Sequence, residues 1–126
     1  MCATSGVVDG YDIDVRQEPR FLRVTVSGEF SVPRSLRAFD RVAEEARRHG
    51  ADKLLLDARG VVGIPNDSQQ YEMGKYVAAH VPFRLALIDH PARRSYFGEW
   101  IAVTGGADAR LFVEEARAIA WLLREQ

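Results

Sequence analysis

Two kinds of apolar run occur in this chain, and they belong to two kinds of strand. Tyr11, Ile13 and Val15 alternate with Asp12, Asp14 and Arg16, and Leu22, Val24 and Val26 alternate with Arg23, Thr25 and Ser27. A period of two marks a strand with one buried face and one wet face. Leu54-Leu55-Leu56 and Leu85-Ala86-Leu87-Ile88 show no alternation, as expected where both faces of a strand are covered. The first two runs are joined by the turn Glu18-Pro19-Arg20 and are expected to close as an antiparallel hairpin. The later runs are separated by helical stripes, so they need right-handed crossovers and parallel neighbours.

The stripes supply four helices. Ser31 is placed to cap the first, with Pro33 in its first turn, Leu36, Phe39, Val42, Ala43 and Ala46 on one face, and Gly50 as a left-handed stop. A second helix is expected from about Asp67 to His80, with Met73, Gly74, Val77, Ala78 and Val81 inward. A third, from about Ala92 to Thr104, is expected to bury Phe97, Trp100 and Ile101, and a fourth, from Glu114 to Arg124, to bury Ala116, Ile119, Ala120 and Leu123. Arg110 to Phe112 reads as a short edge strand. The fold class is therefore α/β: a mixed five-stranded sheet in the order β-β-α-β-α-β-α-β-α, with only the first strand antiparallel. Residues 1–10 are small and polar and are expected to form a disordered tail, leaving residues 11–126 as a single domain.

Bulk properties exclude several functions. A formal net charge of −1 gives no global field to attract nucleic acid or an anionic membrane. Cys2 is the only cysteine, so no internal disulfide and no cysteine metal cluster is expected. His49, His80 and His90 share no ligand spacing, and neither a metal nor a cofactor is expected. No apolar run has the length of a membrane span or follows a basic start, so a cytoplasmic protein is the expectation.

With "VSGEF", "LLLDARGV", "FGEWIAVTGG" and "ARLFVEEARAIAWLL" at its joints, this order of elements resembles the STAS domain superfamily, and within it the stand-alone bacterial SpoIIAA-like proteins of STAS/CRAL-TRIO type. The resemblance runs from about Tyr11 to Leu123. It implies a βα superhelix and a non-enzymatic regulatory module that binds a protein partner, such as an anti-sigma-factor-like kinase or another regulator. In the phosphorylated relatives an Asp-Ser-Ser/Thr-Gly motif follows the strand matching Leu54 to Asp57. Here Asp67-Ser68 falls near that position, which makes Ser68 the candidate phosphosite. Gln69 and Gln70 stand where those relatives carry a small residue and Gly, and Ile64-Pro65-Asn66 lengthens the loop.

Independently of the resemblance, Glu29, Asp57, Arg59, Asp67, Asp89 and His90 fall at or beyond strand C-termini, the rim where open α/β sheets bind ligands. With Tyr71 on the adjacent helix they form the candidate partner- or ligand-binding rim. A plainer reading has Asp67 or Asn66 capping the second helix, with Gln70 reaching back to Asp67 as a capping box, and Asp57 pairing with Arg59. Two other functions fit the pattern. A carrier or sensor of a small apolar, lipid-like ligand would have an enclosed cavity near Tyr76, Phe97 and Trp100. A small hydrolase would use Ser68, His90 and the rim aspartates, although no G-x-S-x-G elbow is present. No catalytic residue is assigned.

Overall fold

The computed structural model describes residues 3–8, 10–90 and 96–124. Six strands form one sheet whose order follows the chain: β1 (Ala3–Val8), β2 (Tyr11–Gln17), β3 (Leu22–Glu29), β4 (Lys53–Val62), β5 (Arg84–Ile88) and β6 (Ala109–Phe112). Helices α1 (Val32–His49), α2 (Asp67–His80) and α3 (Phe97–Thr104) connect the parallel strands, and α4 (Glu115–Leu122) follows β6. β2 is antiparallel to both of its neighbours, and β3 to β6 are mutually parallel. The strand that begins at Tyr11 is therefore the only one running against the rest, as its alternating pattern implied.

The N-terminus departs from the expectation of a tail: Ala3–Val8 forms β1, paired in register with Tyr11–Arg16. Without it, the outer backbone N–H and C=O groups of β2 would lack strand partners, and an added strand satisfies them. The sequence carries a signal for this pairing in Asp9-Gly10, a dipeptide favoured in two-residue hairpin turns.

Alternation decides the layers. Tyr11, Ile13, Val15, Leu22, Val24, Val26, Leu54, Leu56 and Leu85 face α1, α2 and α3 in the larger core. Leu55, Ala86 and Ile88 face the other way and pack with Phe21 against Ala118 and Leu122 of α4. The opposite face of β2 stays wet, with Asp12 and Arg16 exposed. α4 buries Ala118 and Leu122, whereas Ala116 and Ala120 are exposed. Of the stripe expected from the sequence, Ile119 and Leu123 are half-buried against this core, so the buried face is centred about one residue away, on a helix too short for its period to fix the phase.

Helix α1 begins at Ser31, whose hydroxyl accepts from the Arg34 N–H, and ends at Gly50 in the left-handed conformation at φ 62°. Its inner face includes a charge: Glu45 is buried and accepts from the guanidinium groups of Arg41 at 2.8 Å and Arg48 at 3.2 Å. A buried carboxylate is stable only when paired in this way.

Trp100 corrects a second expectation. It is 60% exposed. Helix α3 packs on α2 rather than flat on the sheet, through Gly98 and Ile101 against Gly74, and Gly105 against Ala78. That contact directs Ala102 inward and Trp100 and Val103 outward. The part of the expected third helix before Tyr96, including Arg93-Arg94, lies outside the described residues.

Candidate functional site

The rim residues divide into two groups. The first lies on the α4 side. Between Thr25 and Ser27 of β3 the register to β4 slips, so that Thr25 faces Asp57 while Ser27 faces Gly60. Such a bulge bends the strand and re-aims its side chains. Arg59 returns to Asp57, donating from Nε to Oδ1 at 3.0 Å, from Nη2 to Oδ2 at 2.7 Å and from its backbone N–H to Oδ1 at 3.1 Å. Arg59 Nη2 also donates to Glu115 at 3.0 Å, and Glu115 accepts from Arg23, which pairs with Glu18. The pairing of Asp57 with Arg59 was legible in the sequence. The bridge through Glu115 and Arg23 was not, because 92 residues separate its ends.

Burial works against the ionised Asp57 carboxylate, but the hydrogen bonds and positive charge of Arg59 outweigh it, and the group is held below its ordinary value of 3.8. The hydrogen bond to Asp57 raises Arg59 above the ordinary range for arginine. A group with a depressed folded pKa contributes stability that is present above its unfolded pKa and lost as pH falls through the folded value. Asp57→Asn is therefore expected to cost about 1–2 kcal/mol near pH 7. That cost should shrink toward zero as denaturation is repeated at pH values progressively below 3.8. An unchanged difference across that range would show that the ion pair does not carry it.

The second group lies at the start of α2. Asn66 is the N-cap, extended at φ −81° and ψ 177°. Its side-chain oxygen accepts from the Gln69 N–H at 2.8 Å, and the Gln69 side chain accepts from the Asn66 N–H at 2.8 Å. The capping box is thus Asn66 with Gln69, not Asp67 with Gln70. Asp67 is already helical and sits in the first turn, where its negative charge suits the helix dipole. Asn66→Ala is expected to cost about 0.5–2 kcal/mol and Asp67→Ala less, measured by urea denaturation; the reverse order would return the cap to Asp67. Ser68 is exposed, and so are Val62, Ile64 and Tyr71 around it in sequence. The Lys75 ammonium lies 5.7 Å from the Tyr71 ring centre.

Gln70, by contrast, is buried. Its amide donates to the Pro65 carbonyl at 3.3 Å and accepts from the Gly98 N–H at 3.3 Å, tying the β4–α2 loop to α3. Beneath it, α2, α3, β5 and β6 line a largely apolar pocket of about 120 Å³ that is half open to solvent, with Phe39, Met73, Val77, Leu87 and Ala102 among its walls. A second space of about 90 Å³ shares Phe39, Pro65, Met73, Leu87 and Asp89 with it. Tyr76, Phe97 and Trp100, expected around such a cavity, do not line it: the Tyr76 hydroxyl turns to Asp40, and Trp100 faces outward.

The remaining rim residues are scattered. Glu29 is exposed at the end of β3, where Arg34 donates to its backbone carbonyl at 2.8 Å. Asp89 is half-buried on the cavity wall and accepts from the His90 N–H at 2.7 Å, and His90 itself is exposed. Among the described residues no hydrogen bond joins Ser68 to His90 or to a rim aspartate, and no cluster of three metal-ligating side chains forms. None of the described helices is long and apolar enough to cross a membrane.

No family model matches the sequence, and no curated protein matches it. Among solved structures, the chain is similar to an anti-sigma factor antagonist from Mycobacterium paratuberculosis, with a TM-score of 0.54 and 16% identity over 93% of this chain and 97% of that one. It is also similar to an uncharacterised protein of the DUF3478 family with a SpoIIAA-like fold, from Shewanella loihica PV-4, with a TM-score of 0.49 and 16% identity over 94% and 98% of the two chains. The chain shares its fold with the Mycobacterium paratuberculosis protein.

Proposed function

We propose that the chain is a non-enzymatic regulatory module that docks a protein partner on the surface around the start of α2, and that phosphorylation of Ser68 switches the docking. The observation that carries this reading is the exposure of Ser68 in the first helical turn, beside the exposed apolar residues Val62, Ile64 and Tyr71. The hydroxyl is open to a kinase. Scattered exposed apolar side chains are ordinary, but three between the end of β4 and the second turn of α2 suit a docking surface. The structurally similar protein from Mycobacterium paratuberculosis is an anti-sigma factor antagonist, and the partner class expected here is a kinase or regulator of that kind.

Phosphate on Ser68 adds nearly two negative charges next to Asp67. Helix-start N–H groups stabilise that charge, while the Asp67 carboxylate opposes it. The Asn66–Gln69 capping box holds the turn in either state, so the switch acts through surface charge rather than refolding. Phosphopeptide mapping of the protein isolated from its own cells tests the first step. Phosphate is expected on Ser68 in a fraction of the molecules; its absence under every growth condition would remove the switch and leave a constitutive docking surface.

A further inference from the structure

We propose that the cavity under α2 and α3 is a binding site for a compact aromatic molecule with one hydrogen-bond donor, about the size of indole. This site does not depend on Ser68 or on a protein partner.

Protein interiors pack at crystal density, and a void forfeits the dispersion contacts of its lining. A half-open space of about 120 Å³ between α2, α3, β5 and β6 leaves the apolar side chains on its walls without packing partners on one side. The immediate cause is the small side chains that α3 and β6 place there: Gly98, Ala102 and Ala109. The wall is otherwise Phe39, Met73, Val77, Leu85 and Leu87. For scale, a closed cavity of about 150 Å³ with apolar walls accepts benzene.

Two features narrow the class. The adjoining space of about 90 Å³ meets the first across Met73 and Leu87, so the combined shape is longer than one benzene ring. Met73 is a flexible divider able to yield to a fused ring. The polar groups on the wall are the Asp89 and Glu99 carboxylates, the Arg110 side chain and the Gln70 amide. Glu99 is held there by the Leu111 N–H, which donates to its Oε2 at 2.6 Å. Carboxylate oxygens accept hydrogen bonds, so an apolar body with a single N–H or O–H at one end matches this wall better than a pure hydrocarbon.

Indole is the probe. Titrated into the intact protein and followed by methyl NMR, it is expected to give saturable shifts at Met73, Val77, Leu85 and Leu87 that exceed those given by benzene. Ala102→Leu and Ala109→Leu each fill the space from a different element, so one remains informative if the other fails to fold. Each folded variant is expected to lose the saturable shifts and to unfold at a higher temperature than the parent. Absence of saturable shifts in the parent, or equal shifts in a folded filled variant, would overturn the site and leave a packing void. A phosphate on Ser68 changes neither result, so the two proposals fail separately.

Discussion

Leu55→Ala is expected to lower the free energy of unfolding by about 2–5 kcal/mol, while Trp100→Ala changes it by no more than about 1 kcal/mol. Leu55 has no exposed surface and stands in the middle strands of the sheet, packed with Ala86, Ile88 and the inner face of α4. Truncating it removes transfer energy and leaves a cavity between two layers that cannot collapse. Trp100 has the larger side chain but keeps 60% of its surface in water, so little burial is lost with it. Paired guanidinium denaturation curves check both. A large loss at Trp100 with a small one at Leu55 would mean that α3 is rotated from the orientation described.

Gly74→Ala is the second large effect. A methyl group at this position meets the Gly98 carbonyl oxygen at 2.6 Å and the Ile101 side chain at 2.8 Å. Both belong to α3, and one is backbone, so the clash is relieved only by separating the helices. Overpacking of this kind costs about 1–3 kcal/mol, and the better helix propensity of alanine returns about 1 kcal/mol at most. A net loss is expected. Gly98→Ala is the control, because its nearest new contact is an ordinary 3.4 Å to the Gln70 carbonyl oxygen. Equal stability of the two variants would contradict the close crossing of α2 on α3, and with it the outward orientation of Trp100.

These two predictions also mark where the sequence was legible. Leu54 to Leu56 read as a doubly covered strand because a continuous apolar run has one simple structural meaning, and the alternation from Tyr11 to Val26 read as a half-wet pair for the same reason. Ser31 and Gly50 marked the ends of α1 by their own backbone chemistry. Trp100 was misread because a helical stripe states which residues share a face, not which body covers that face. Here the covering body is another helix, admitted by Gly74, and the apolar side chain faces water. Ala3–Val8 was missed because Ser5 and Gly6 interrupt its strand formers Thr4, Val7 and Val8 and leave no alternation to read. In the candidate site, Asp57 and Arg59 were found as near neighbours in sequence, while Glu115, Gln70 and the cavity wall are tertiary products with no local signal. The cap at Asn66 rather than Asp67 is a one-residue difference in where helical dihedrals begin, which the pattern Asn-Asp-Ser leaves open.

On the proposed reading the start of α2 is a charge-controlled docking surface. Its most direct test is calorimetric titration of one purified partner with Ser68→Ala, Ser68→Asp and the enzymatically phosphorylated protein, alongside thermal unfolding of each. The phosphorylated protein and Ser68→Asp are expected to differ from Ser68→Ala in affinity by about tenfold or more, a coupling of about 1.4 kcal/mol. All three should unfold at the same temperature within error, because the Asn66–Gln69 box is untouched. Equal affinities for all three forms, or an affinity change that appears only with a shift in the unfolding midpoint, would contradict it.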